Sequence, residues 1–267
     1  MKIYKAFLYT VLLVLIQSLI GLLIGLIFRQ IDPNSQVFYD HSLGLFRTFA
    51  QLTGYLIFFN YFWKPKINWI QKNDFKINNF KVILLIILIG TGYELIKSPF
   101  SDFNNLLKHL NKNNLINHSN YFNHFNIEWI YRSFGVLIIA PIFEEFFYRK
   151  YLINNLLLKN SKILALAVSS LCFSIIHFET PNNLIPAFLF GVGSGIIYLK
   201  TNKIGYSILL HFFCNSLWLL DVVFGDKFYN YLYKLEFNST YWIIFFSGIL
   251  LCYLGLKKIT KAKTFKS

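Results

Sequence analysis

Charge is what this chain has least of. Only 14% of its 267 residues are charged, against about 25% in an ordinary soluble domain, while 55% are hydrophobic and the mean hydropathy is +0.48. A water-soluble fold has no way to hide that much apolar surface. Acidic residues are the scarcer sign, 12 against 26 Lys and Arg, for a net charge of +14. In a soluble protein such a balance points to nucleic acid. Here the basic residues sit between long apolar runs, as anionic headgroups and the positive-inside bias require, so a lipid bilayer is the expected partner and nucleic acid is not. Cysteine is nearly absent. Cys172, Cys214 and Cys252 are odd in number, match no zinc spacing and lie in apolar segments, which reads as core filler. No A-x-A cleavage pattern follows the first apolar stretch, so that stretch is expected to be retained. Aromatics are plentiful, with 30 Phe, 17 Tyr and 5 Trp, and exclude disorder.

Helices and closed barrels are the two ways a backbone satisfies itself in lipid. Apolar runs such as Val82 to Ile89 do not alternate with period two, which argues against a barrel. The expected fold is therefore all-α and polytopic, with about eight transmembrane helices at 4–28, 44–63, 80–97, 128–157, 162–178, 184–200, 204–223 and 240–257. Most Lys and Arg then fall in alternate connections, for example Lys64, Lys66 and Lys76, or Lys257, Lys258 and Lys261. That places both the N-terminus and the C-terminus in the cytoplasm. Residues 1–267 are expected to form one integral-membrane domain with an Asn- and His-rich outer loop over 98–126 that holds a short surface helix. The loop histidines His109, His118 and His124 share no helical face and have no carboxylates beside them, so they read as solvated residues. Gly21/Gly25 and Gly191/Gly195 have the small-xxx-small spacing of helix contacts.

Function is best sought where the sequence accepts a cost, and an ionisable residue at the bilayer centre costs about 2.5 to 3.5 kcal/mol. In Ala140-Pro141-Ile142-Phe143-Glu144-Glu145-Phe146-Phe147-Tyr148-Arg149, the acid Glu145 precedes Arg149 by four residues, the favourable order for an ion pair along one helix face. Glu144 points about 100° away from that pair and has the position of a general base. Pro141 removes a backbone donor just before it and loosens the helix. Further along, Phe173-Ser174-Ile175-Ile176-His177 ends one apolar segment, and His211 with Asn215, four apart, shares one face of another.

Depth brings these residues together. Glu144 and His177 are each 15 residues from the nearest turn lysine, Lys159 or Lys162, and so stand at about 22 Å along their helices. From the turn near Asn202, His211 lies about 13 Å up and Asn215 about 20 Å up, so one polar pocket within the membrane is expected to contain all four. A carboxylate base, two imidazoles and a carboxamide suit peptide-bond hydrolysis: Glu144 deprotonates water, His177 holds it, and His211 with Asn215 stabilises the oxyanion. Glu144, His177 and His211 are also a ligand set for a divalent metal, zinc by ligand type, although H-E-x-x-H is absent and a metal-free mechanism stands beside it.

The pattern Glu144-Glu145-x-x-x-Arg149, then Phe173-x-x-x-His177, then His211-x-x-x-Asn215, with the glycine-bearing helix containing Gly191 and Gly195 between the last two, resembles the CPBP family of intramembrane metalloproteases. That family includes CAAX prenyl endopeptidases of the Rce1 type and Abi proteins related to bacteriocin immunity. The resemblance covers a four-helix core at 128–222. It implies an eight-helix membrane endopeptidase acting on membrane-associated or peptide substrates, with Glu144 activating water and His177, His211 and Asn215 completing the site. Together with a compositional bias toward Asn, Lys, Ile and Phe, it points to a bacterial plasma membrane. A non-catalytic immunity or scaffold protein of the same fold and a proton-coupled transporter are the alternatives. Rhomboid-like serine catalysis lacks its glycine at Val192, and presenilin-like catalysis lacks the first glycine before Gly225-Asp226.

Overall fold

The computed structural model describes residues 1–31, 36–63, 72–111 and 127–261, and among them there is no β-strand. The helices are α1 (Ile3–Ile31), α2 (Gln36–Phe58, continued by a π-wound turn Phe59–Trp63), α3 (Phe80–Ser101) and α4 (Phe103–Leu110). They are followed by a composite helix α5 (127–157), then α6 (Lys162–Ile175), α7 (Leu184–Thr201), α8 (Ile204–Val223), α9 (Lys227–Lys234) and α10 (Ser239–Lys261). Each of the eight apolar stretches is helical over most of its length, the fifth stopping at Ile175. Four helices, over Ile3–Phe28, Pro181–Thr201, Ile204–Val223 and Ser239–Lys261, are long and apolar enough to cross a membrane by length and composition. α6 is a shorter apolar helix.

The outer loop is partly helical. α3 runs on to Ser101 and the expected surface helix is α4, which carries His109; His118 and His124 lie outside the described residues. The short helix α9 lies between the apolar stretches 204–223 and 240–257, and Asp221 fixes its start by accepting from the Phe228 N–H at 2.9 Å.

Two compact units make up the chain. The first comprises Met1–Lys72 and His124–Cys172. Its core is aromatic: Phe58 meets Phe147 edge-on at 5.0 Å between centroids, and Tyr55 stacks on Phe143 at 5.6 Å. α1 packs on α2 where Gly54 removes a side chain, since a Cβ there would collide with Gln17 Cγ. Gly21 meets only the Ala50 Cβ at 3.8 Å, and Gly25 has nothing within 4 Å. The close approach of these helices is therefore made by Gly54, not by the Gly21/Gly25 spacing.

The second unit comprises Asn73–Asn123 and Phe173–Ser267. α3 and α10 approach most closely at Gly92 and Gly248, where an added Cβ on either residue would lie 2.7 Å from the other's carbonyl oxygen. The Cys252 thiol donates across this contact to the Ile89 carbonyl at 3.3 Å. All three cysteines are thiols, with Cys172 and Cys214 buried, in keeping with a packing role. α3 also buries an ion pair, Glu94 with Lys97, whose ammonium stands 5.6 Å from the centre of the Tyr229 ring.

Candidate active site

The segment 127–157 is one continuous helix of alternating pitch. Regular turns at Ile127–Phe134 give way to π winding at Gly135–Ile139, return to α over Ala140–Glu145, widen again over Phe146–Ile153 and close at Asn154–Leu157. The first widening sits directly before Pro141. A proline ring clashes with the carbonyl four residues back and offers no N–H, and a wider turn relieves both problems. The Ala140 N–H accordingly bonds to the Gly135 carbonyl, five residues back. The loosening expected from Pro141 thus takes the form of a π turn. The second widening contains neither proline nor glycine.

Glu144 and Glu145 occupy the short regular segment between the two wide ones, both buried. Arg149 Nε donates to Glu145 Oε2 at 3.0 Å, and both side chains are 0% exposed. Arg149 Nη1 also reaches Ser169 Oγ on α6 at 3.4 Å, and that hydroxyl donates to the Tyr148 carbonyl at 2.7 Å. The predicted i, i+4 pair therefore exists and ties α5 to α6. Glu144 is directed elsewhere, as its position on the helix requires. Its Oε1 accepts from Gln51 Nε2 on α2 at 3.0 Å, a partner that sequence reasoning did not single out. The signal for it was one of two amides, Gln51 and Asn60, in a largely apolar stretch at 44–63.

In the second unit, His177 and His211 both lie against Phe173, and Phe190 packs on His211. α6 stops at Ile175, so His177 lies on the turn just past its end and not on a helix running to 178; its N–H bonds to the Ser174 carbonyl at 2.9 Å. Pro181 holds Thr180 out of helical geometry, so the chain leaves the helix through the turns at 176–179. The His177 ring is anchored by Nδ1, 2.9 Å from the Phe173 carbonyl oxygen. A carbonyl only accepts, so in the neutral ring Nδ1 carries the proton and Nε2 presents its lone pair. Phe173 lies 5.0 Å from the His177 ring and 5.9 Å from the His211 ring. Phe190 lies 4.8 Å from His211 and 5.5 Å from Phe173. Asn215 follows His211 by one turn on α8 and is half-buried, whereas His211 is buried. α7 brings Gly191 and Gly195 into its buried face, and the Ser207 hydroxyl on α8 donates to the Ser194 carbonyl at 3.2 Å.

Residues 126–217 match the family described as Type II CAAX prenyl endopeptidase Rce1-like. The match supports the CPBP and CAAX-protease family for this segment. The Rce1-like match takes in Glu144, Glu145, Arg149, His177, His211 and Asn215. Together with four helices long and apolar enough to cross a membrane, the match supports an integral membrane protein. No curated protein and no solved structure matches the chain. Among the described residues, no group of three or more His, Cys, Asp or Glu side chains is assembled that would hold a metal ion.

Proposed function

We propose that the protein is an intramembrane endopeptidase in which Glu144 takes a proton from water as the water oxygen attacks a peptide carbonyl. His177 Nε2 accepts a hydrogen bond from that water and orients it. His211 and Asn215 donate to the oxygen that becomes negative in the tetrahedral intermediate, where preorganised donors in a dry site contribute most. The proton on Glu144 then passes to the leaving nitrogen as the C–N bond breaks. Glu145 and Arg149 neutralise each other and hold the helix that carries the base. Peptides or proteins at the membrane surface are the proposed substrates, and a bacterial plasma membrane the proposed location.

The observation that carries this reading is the Rce1-like match, within which all four proposed site residues fall. The test is cleavage of an internally quenched peptide mixture by the purified protein in liposomes. Glu144→Gln, His177→Ala and His211→Ala should each lose about a hundredfold or more while remaining folded. No cleavage by the wild-type protein, or full activity in Glu144→Gln, overturns the reading in favour of an immunity or scaffold role. The divalent-metal form of the mechanism, with zinc held by Glu144, His177 and His211, is a separate proposal. It is tested by metal content and by activity before and after chelation, with restoration by zinc supporting it.

A further inference from the structure

We propose that Gln51 is a positioning residue for Glu144, supplied by the helix pair α1–α2 that lies outside the family-matched segment. The proposal rests on the reading of Glu144 as the base.

Two adjacent glutamates are held in two different ways. Glu145 is bound by the Arg149 guanidinium, a full positive charge that removes it from proton transfer. Glu144, 6% exposed, takes a hydrogen bond from the Gln51 amide at 3.0 Å. A neutral donor orients a carboxylate without neutralising it. Gln carries no proton that it gives up near neutral pH, so during hydrolysis it keeps its own hydrogens while the carboxylate receives one from water and releases it to the leaving amine.

The surroundings of Gln51 make that orientation stiff. Tyr55, one turn further along α2, is buried and stacks at 5.6 Å on Phe143, the residue before Glu144. α2 thus grips consecutive residues of α5 with consecutive turns, Phe143 by Tyr55 and Glu144 by Gln51. α1 supports the grip from behind. Gln17 Nε2 donates to the Gln51 backbone carbonyl at 3.3 Å, and Gly54 admits the Gln17 stem, whose Cα would be 3.4 Å from an added Cβ. A glutamate has three rotatable side-chain bonds, and a base must be held close to its productive geometry. Misplacement by about 1 Å costs up to 10²-fold in rate.

The experiment uses the full chain in liposomes with the quenched peptide mixture. Gln51→Met keeps the length and removes the donor; Gln51→His offers an Nε2–H at similar reach. The expected result for Gln51→Met is a fall in kcat of about ten- to a hundredfold, with KM within about twofold and the unfolding temperature unchanged. Gln51→His should recover part of the lost kcat. Wild-type kcat in Gln51→Met, alongside an inactive Glu144→Gln, overturns the positioning role and leaves the base in place. A loss that follows the unfolding temperature and is not recovered by Gln51→His also overturns it. An active Glu144→Gln removes the reading on which both stand.

Discussion

Arg149 Nε lies 3.0 Å from Glu145 Oε2 with neither side chain exposed, so each is the other's counter-charge in a medium that solvates neither. Removing one partner strands the other. Arg149→Ala should destabilise the protein by about 3–5 kcal/mol, read as a lower unfolding temperature in detergent and lower yield. Replacing both residues at once, as Glu145→Met with Arg149→Met, should cost less than Arg149→Ala alone, because no buried charge is then left over.

His177 Nδ1 is engaged by the Phe173 carbonyl, which leaves Nε2 for chemistry. His177→Asn sets an amide donor near the Nδ1 position and nothing at Nε2. It should fold like the wild-type protein and lose about a hundredfold or more in kcat. Full activity in that variant would show that the outer ring nitrogen plays no part.

Gly92 and Gly248 allow α3 and α10 to touch backbone to backbone. Gly248→Ala would set a Cβ 2.7 Å from the Gly92 carbonyl oxygen and 2.8 Å from Leu95 Cβ, and should cost about 1–3 kcal/mol as the helices are pushed apart. Gly25→Ala meets nothing within 4 Å and should be neutral or stabilising by up to about 1 kcal/mol. Unfolding midpoints of the two variants in one detergent check both.

Asp102 sits between α3 and α4, and burial pushes its carboxyl up to about 7, with a hydrogen bond from Asn105 opposing the shift. A raised folded value means that the proton is held more tightly in the folded state. The stability this contributes is fully present below the unfolded value of about 3.9, and it is lost as pH rises through about 7. Asp102→Asn does not titrate. Its unfolding temperature relative to wild type should therefore rise from pH 5 to pH 8, and an unchanged difference would contradict the burial of this acid.

Helix positions were legible because apolar stretches of bilayer length fold locally. The Glu145–Arg149 pair was legible too, because its partners are one turn apart. Partners distant in sequence were not. Gln51 and Glu144 are separated by 93 residues, and no periodicity connects an amide in one helix with an acid in another. The Gly92–Gly248 contact was hidden for the same reason, while the regular spacing of Gly21 and Gly25 drew attention to a place where Gly25 meets nothing. The buried Glu94–Lys97 pair was passed over because it lies near the end of its helix, where charge is ordinarily cheap. His177 shows a boundary effect: the apolar run continues to Phe178, but the helix gives way after Ile175 to turns that lead to Pro181.

The wide turns on either side of Ala140–Glu145 each store slack in the winding. Deleting a single residue from 135–139 would let that stretch tighten to an ordinary coil while the turns on either side kept nearly the same heading. The two acids would keep their heading toward Arg149 and Gln51. Chain length upstream and aim of the carboxylates are thus separately adjustable, a latitude that an unbroken regular rod does not have.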